Sequence, residues 1–165
     1  MKFLFASDSF KGTLSSEQII TLLDAAAKNV FPDCETMGIP VADGGEGTID
    51  AVISVLHGSI YEVDVHGPLM EEVVSRYGET GNGAAVIEMA AASGLPMVPV
   101  DKRDPRVTTT YGTGELIKTA LDRGCRDITI AIGGSATNDG GMGAMRALGI
   151  RFLDENGEEL SGCGN

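Results

Sequence analysis

The chain has little of what would tie it to nucleic acid, to a membrane or to an oxidising compartment. Lys and Arg together number 12 against 24 Asp and Glu in 165 residues, a formal charge of −12, so the basic footprint that a phosphate backbone demands is missing. The 3 cysteines, Cys34, Cys125 and Cys163, are far apart and form no CxxC. That spacing supports neither a disulfide framework nor a zinc site and reads as packed, reduced thiols. No apolar run approaches the ~18 residues of a membrane span, and the opening Met-Lys-Phe-Leu-Phe-Ala meets Asp8 and Lys11 too soon for a signal peptide. A cytoplasmic protein without nucleic-acid or membrane partners is expected. Also missing are GxxxxGK[ST] and any GxGxxG after a strand, which excludes a Walker loop and a dinucleotide fingerprint. No internal repeat is present, and the histidines, His57 and His66, take structural or solvated roles by default.

What is present is a hydrophobic content of 42%, enough for one ordinary core or about one and a half domains. The chain is organised around Ile128 to Leu148. Ile-Thr-Ile-Ala-Ile predicts a strand buried on both faces, and the spacing of Met142, Met145 and Leu148 predicts a helix. Between them lies Gly133-Gly134-Ser135-Ala136-Thr137-Asn138-Asp139-Gly140-Gly141, a tight strand-to-helix crossing. Unpaired N–H groups and the helix dipole at such a start suit an anion, phosphate or carboxylate.

Earlier segments repeat the arrangement. A strand at Lys2 to Ala6 leads through Ser7-Asp8-Ser9-Phe10-Lys11-Gly12 to a helix. Ser15 and Gln18 form a capping box there, and Ile19, Leu22, Leu23, Ala26, Ala27 and Val30 share a face. A second strand, ending near Pro40, leads through Asp43-Gly44-Gly45-Glu46-Gly47-Thr48 to a helix carrying Ile49, Val52, Ile53 and Leu56. From Gly58 the pattern changes. Tyr61, Val63 and Val65 alternate with Glu62, Asp64 and His66, as in a strand wet on one face, and a domain boundary is expected near Val65. Extended segments follow at Val73 to Tyr77 and Ala84 to Ile87, joined by Gly81-Asn82-Gly83. Leu116, Ile117, Ala120 and Leu121 then lie on a helix stopped at Gly124. A strand at Ile150 to Leu153 and a turn at Asp154 to Gly157 precede an ending without a closing element, which reads as a truncation or a mobile tail.

Each loop has two readings. Asp43 and Glu46 form a carboxylate version of the capping box, and Asn138 or Asp139 suits an N-cap worth ~1 kcal/mol. Thr108, Thr109, Thr110 and Thr113 suit loop hydroxyls, and Lys11 a solvated charge. Parallel α/β architecture would instead gather the loops at the carboxyl ends of the strands, where open sheets bind ligands. Their glycines, lysine, hydroxyls and acids match the needs of phosphoryl transfer. Spacing alone stops at an anion-binding α/β protein.

Five motifs in order carry a resemblance: Ser7-Asp8-Ser9-Phe10-Lys11-Gly12, Ala42-Asp43-Gly44-Gly45-Glu46-Gly47-Thr48, Glu88-Met89-Ala90-Ala91-Ala92-Ser93-Gly94-Leu95, Tyr111-Gly112-Thr113-Gly114-Glu115-Leu116 and Gly133 through Gly141. Together they resemble the bacterial type I glycerate kinases. The resemblance implies transfer of the ATP γ-phosphate to a hydroxyl of D-glycerate, with Mg²⁺. It also implies an α/β fold in which a Rossmann-like domain is built from both chain ends and a second α/β domain, with an antiparallel segment, is inserted. On that reading residues 1–65 belong to the Rossmann-like domain and 66–165 to the insertion, and a missing C-terminal half completes the fold. Asp8, Lys11, Asp43 and Asp139 are the catalytic candidates, with Asp43 and Asp139 also the Mg²⁺ candidates. Ser9, Gly44, Gly45, Glu46, Thr113, Gly133, Gly134, Ser135 and Asn138 are the candidates for substrate or phosphate contact. Two rivals remain, a non-catalytic module binding a small carboxylate or phosphate and a scaffold whose loops are only caps and turns.

Overall fold

A computed structural model of the chain describes residues 1–10, 13–160 and 163. The elements run β1 (Lys2–Ser7), α1 (Ser16–Val30), β2 (Glu35–Pro40), α2 (Thr48–Leu56), β3 (Ser59–His66), β4 (Glu72–Glu79), β5 (Ala84–Glu88), α3 (Ala90–Ser93), α4 (Tyr111–Asp122), β6 (Asp127–Ala131) and α5 (Met142–Ala147), with 3-10 turns at Leu95–Met97 and Val100–Lys102. Among the described residues no helix is long and apolar enough to cross a membrane. The chain divides into two compact units, Met1–Asp43 and Gly44–Asn165.

In the first unit β1 and β2 pair in parallel, from Lys2 opposite Glu35 to Ser7 opposite Pro40, with α1 as the crossover. The expected capping box is formed: Gln18 N donates to Ser15 Oγ at 3.3 Å and Ser15 N donates to Gln18 Oε1 at 2.9 Å. The apolar stripe of α1 is covered only in part. Ile19 is buried, whereas Leu22 and Val30 are 58% and 65% exposed, because two strands and one helix have too little apolar surface to cover one another.

The second unit is a four-stranded sheet in the order β3-β4-β5-β6, antiparallel from β3 to β5 and parallel between β5 and β6. Side chains alternate between faces along a strand, and β5 shows it. Val86 packs with Ile49 and Ile53 of α2, while Ala85 and Ile87 join Val65, Tyr77, Leu116, Ile117 and Ala120 on the other side. The strand buried on both faces is therefore β5. The expectation that Ile128 to Ile132 would be so buried is corrected: Ile130 and Ile132 are 42% and 73% exposed, since β6 is the edge strand and has a neighbour on one side only.

One further expectation changes. The strand expected at Ile150 to Leu153 is reduced to a single bridge between Leu153 and Glu159, closed around the turn in which Gly157 N donates to Asp154 O. Val65, where a domain change was expected, lies inside β3, opposite Val73 of β4. Helix α4 crosses its neighbours closely enough to need glycine. A Cβ on Gly112 would run into the carbonyl oxygen of His66, and one on Gly114 into that of Ala144. Gly124 takes φ +101° and stops α4 as expected.

Candidate functional site

Parallel strands send their following loops off the same end of the sheet. In the first unit this sets the loop after β1, with Asp8 and Ser9, beside the loop after β2, which ends in Asp43; Val41 N donates to Ser7 O at 3.1 Å. Ser9 N donates to Asp8 Oδ1 at 2.7 Å and Ser7 Oγ to Asp8 O at 2.9 Å, so Asp8 is held by its own turn. Asp43 is exposed. Lys11, the expected cation of this loop, lies outside the described residues.

In the second unit the loops after β5 and β6 are joined at the carboxyl end of the pair. Met89 N donates to Ala131 O, Leu95 N to Gly134 O and Ala136 N to Ser93 O, each at 2.9 Å. A third loop joins them, because Gly133 N donates to Gly44 O at 2.7 Å. A Cβ on Gly133 would lie 2.8 Å from Gly44 O and from the Gly45 backbone. Glycine at 133 thus allows the close packing of two backbones. Gly44, Gly45, Glu46, Gly133, Gly134 and Ser135 share this edge, with Glu46, Gly134 and Asn138 exposed.

At the helix start after Gly140 the N–H donors are met by side chains of the protein, in line with the N-cap reading of Asp139. Asp139 is buried, and five donors converge on its carboxylate. Oδ2 accepts from Thr110 N (2.8 Å), Thr110 Oγ1 (2.9 Å), Gly143 N (3.1 Å) and Thr109 Oγ1 (3.4 Å), and Oδ1 accepts from Gly141 N (3.0 Å). Thr110 Oγ1 in turn accepts from Ala144 N at 2.9 Å. The anion at the start of α5 is the protein's own side chain. Glu88 does the same for α2: it closes β5, is 3% exposed, and its Oε1 accepts from Ile49 N at 2.7 Å. Thr113 is buried in the first turn of α4, its hydroxyl 2.9 Å from that of Ser93.

Glu88 was not among the expected site residues, and its signal was an acid closing an apolar strand. Burial pushes its carboxyl above the ordinary range, against the opposing pull of the Ile49 N–H and of Arg76. A raised folded-state pKa means that the native chain holds the proton to higher pH than the unfolded one. This group's contribution is therefore full below the ordinary carboxyl range and lost as pH rises through the raised value. Glu88→Gln, which keeps an acceptor for Ile49 N, is expected to lack that decline when urea unfolding is followed from acid to neutral pH. Glu88→Ala is expected to cost about 1–3 kcal/mol at any pH, because the Ile49 N–H is left buried without a partner.

Among the described residues the second unit has cavities, two of them lined in part by charged side chains. One of about 360 Å³ is lined by Asp64, His66, Glu72 and Glu115, where Glu115 accepts from His66 N at 2.7 Å and lies 3.0 Å from His66 Nδ1. His66 is thereby committed to the packing of β3 on α4. The other, about 290 Å³, opens between the loop after β6 and the segment after α3, against Leu95, Arg103, Thr108, Ser135 and Thr137. Among the described residues no group of three His, Cys, Asp or Glu is placed to hold a metal ion.

Comparison with known proteins now has a geometry to attach to. A family profile described as "Glycerate kinase family" matches residues 3–165. The chain is 53% identical over 161 residues to a glycerate kinase of Bacillus subtilis, covering 97% of this chain and 42% of that protein. It is 50% identical over 161 residues to a glycerate 2-kinase of Escherichia coli, again covering 97% and 42%. The crystal structure of a protein assigned as glycerate kinase 2 from Salmonella typhimurium LT2 superposes with a TM-score of 0.81 at 48% identity, over 97% of this chain and 43% of that one. The chain thus spans well under half the length of the curated relatives it matches. With a profile match over nearly every residue and identities near one half, the chain belongs to the glycerate kinase family.

Proposed function

We propose that this chain is part of a kinase that transfers the γ-phosphate of ATP to a hydroxyl of D-glycerate in the cytoplasm. The observation that carries the reading is the 53% identity over 161 residues to a protein named glycerate kinase. The name of the Escherichia coli relative, glycerate 2-kinase, favours the 2-hydroxyl as acceptor. The wider architecture goes with it as a proposal: a Rossmann-like domain to which the N-terminal strands belong, and a second α/β domain inserted into it.

Phosphoryl transfer is catalysed mainly by positioning and by compensation of charge. Lys11 is the proposed cation for the transferred group, with Asp8 and Ser9 in the same loop and Asp43 in the loop after the neighbouring strand. Gly44, Gly45, Glu46, Gly134, Ser135 and Asn138 line the glycine-rich edge of the second unit and are its proposed ligand contacts. Asp139 does not fit a Mg²⁺ ion, because its oxygens already face five N–H and O–H donors. It is proposed as a positioning residue that ties the 133–143 loop to α4. Asp43 fits the single carboxylate needed by a Mg²⁺ that takes its other ligands from water and phosphate.

The test is ADP release from ATP with D-glycerate, run on this chain and on the longest natural form that carries it, with the product read by ³¹P NMR. Release in the longer form with a 2-phospho product is expected. No release from the longer form would remove the kinase reading, and a 3-phospho product would remove the choice of hydroxyl.

A further inference from the structure

The cleft of about 290 Å³ beside Ser135 and Thr137 has a charge that the rest of the chain does not. In a protein of net charge −12, its charged lining is Arg103 and Asp104, and Asp104 is neutralised from outside by Arg106. Arg106 Nε donates to Asp104 Oδ1 at 3.0 Å and Nη2 to Oδ2 at 2.7 Å. That contact holds the Asp104 carboxyl at a pKa of about 2, so it stays ionised and paired. Arg103 remains. Its Nε donates to Val98 O at 3.3 Å, which anchors the guanidinium to the wall, and among the described residues Nη1 and Nη2 have no hydrogen bond or ion pair. The lining of the cleft therefore carries one positive charge with two unspent NH₂ groups.

In the lining of the same cleft, the Ser135 and Thr137 hydroxyls lie 2.8 Å apart, and Thr137 N donates to Ser135 Oγ at 3.0 Å. Two hydroxyls hold two hydrogens, and their mutual bond uses one. The other can donate into the cleft. The floor beneath is rigid, because Thr108 Oγ1 donates to Ala136 O at 2.7 Å and Ala136 N to Ser93 O at 2.9 Å. Leu95 and Pro105 make an apolar wall. The volume lies at the lower bound of small-molecule sites, about 300 Å³, which suits a three- or four-carbon acid.

We propose that this cleft binds the carboxylate of the acceptor acid, with Arg103 as its two-pronged partner and the Ser135–Thr137 hydroxyl pair as its second contact. The assignment rests on the kinase reading above and adds to it a residue that the sequence motifs did not single out. A planar guanidinium matches a carboxylate in a way that an ammonium cannot. The same fork would take a phosphate oxygen, but a nucleotide triphosphate would need more positive charge than this cleft has, or a cradle of backbone N–H groups. Both helix starts at this edge have their donors turned to Glu88 and Asp139 instead.

The experiment uses the longest natural form and compares wild type with Arg103→Met, Arg103→Lys and, as a control for lost charge, Lys118→Met, an exposed position on α4. Steady-state KM is measured for D-glycerate and for ATP, together with the preference for D-glycerate over uncharged glyceramide. Stabilisation by D-glycerate is read from thermal unfolding without nucleotide. Arg103→Met is expected to raise the D-glycerate KM about 10- to 150-fold, the range for a hydrogen-bonded charge, and to erase the preference over glyceramide. The ATP KM and the far-UV spectrum are expected to stay the same. Arg103→Lys is expected to recover part of the loss, and Lys118→Met to change nothing. An unchanged D-glycerate KM in a folded Arg103→Met or Arg103→Lys protein overturns the assignment. So does a rise confined to the ATP KM, which would give the cleft to the nucleotide. Failure of the kinase reading is separate: it would show as absence of ADP release in wild type, and the thermal shift by D-glycerate would still decide whether Arg103 binds the acid.

Discussion

Asp139→Ala is expected to destabilise the second unit by about 3–5 kcal/mol, at the upper end of what single substitutions do. The carboxylate is buried and accepts from Thr109, Thr110, Gly141 and Gly143. Removing it leaves several donors without a partner at once, each costing about 1–3 kcal/mol before relaxation. Asp139→Asn keeps one acceptor oxygen but sets an NH₂ group against donors, and is expected to lose about 2 kcal/mol. Urea unfolding of the longest natural form measures both. The result also separates two roles. A group that works only in the transition state lowers turnover and leaves stability nearly unchanged, whereas a clamp lowers both. Wild-type unfolding midpoints together with abolished turnover in Asp139→Asn would discard the clamp and restore a direct catalytic role.

Gly112→Ala is expected to cost about 3 kcal/mol, near the top of the usual range for overpacking. An added Cβ would meet the carbonyl oxygen of His66, which cannot move aside cheaply. His66 is paired with Glu72 in the β3–β4 ladder, and both its backbone N–H and its ring are tied to Glu115, one turn along the same helix. In a host helix Gly→Ala stabilises by up to about 1 kcal/mol, so the sign of the change reports the close approach directly. Gly81→Ala, where a Cβ meets nothing within 4 Å, is the control and is expected to shift stability by less than about 0.5 kcal/mol. A neutral or stabilising Gly112→Ala would mean that β3 and α4 are not packed as described.

How much could be read from the chain follows the range of the interactions concerned. The partners of the Ser15–Gln18 capping box are three positions apart, so the sequence displays them together, and the structure forms the box as expected. Gly124 as the stop of α4 is likewise a local matter of positive φ. The alternation from Tyr61 to His66 correctly announced antiparallel pairing, because a strand covered on one face has a period of two. Asp139 is instead held by Thr110, 29 positions away, and Glu88 caps a helix start 39 positions before it. Such pairs leave no spacing to find. The glycine-rich run after β6 offered two readings, an anion cradle and an N-cap at Asn138 or Asp139, and the local bonds from Gly141 N and Gly143 N to Asp139 follow the second. Thr113 suited a loop hydroxyl or a ligand contact, and only the packing of α4 beside α3 brings Ser93 to its hydroxyl.

By itself the sequence determined the α/β class, the order of the strands and helices up to α5, the change from parallel to antiparallel pairing and membership of a kinase family. All of these rest on local periodicity, local caps and motif order. The tertiary structure alone decided which strand is buried on both faces, which glycines serve packing, and where the donors and acids of the loops are directed. Those properties depend on what lies across the sheet edge from each residue, and a linear chain does not specify its neighbours in space until long-range contacts have formed.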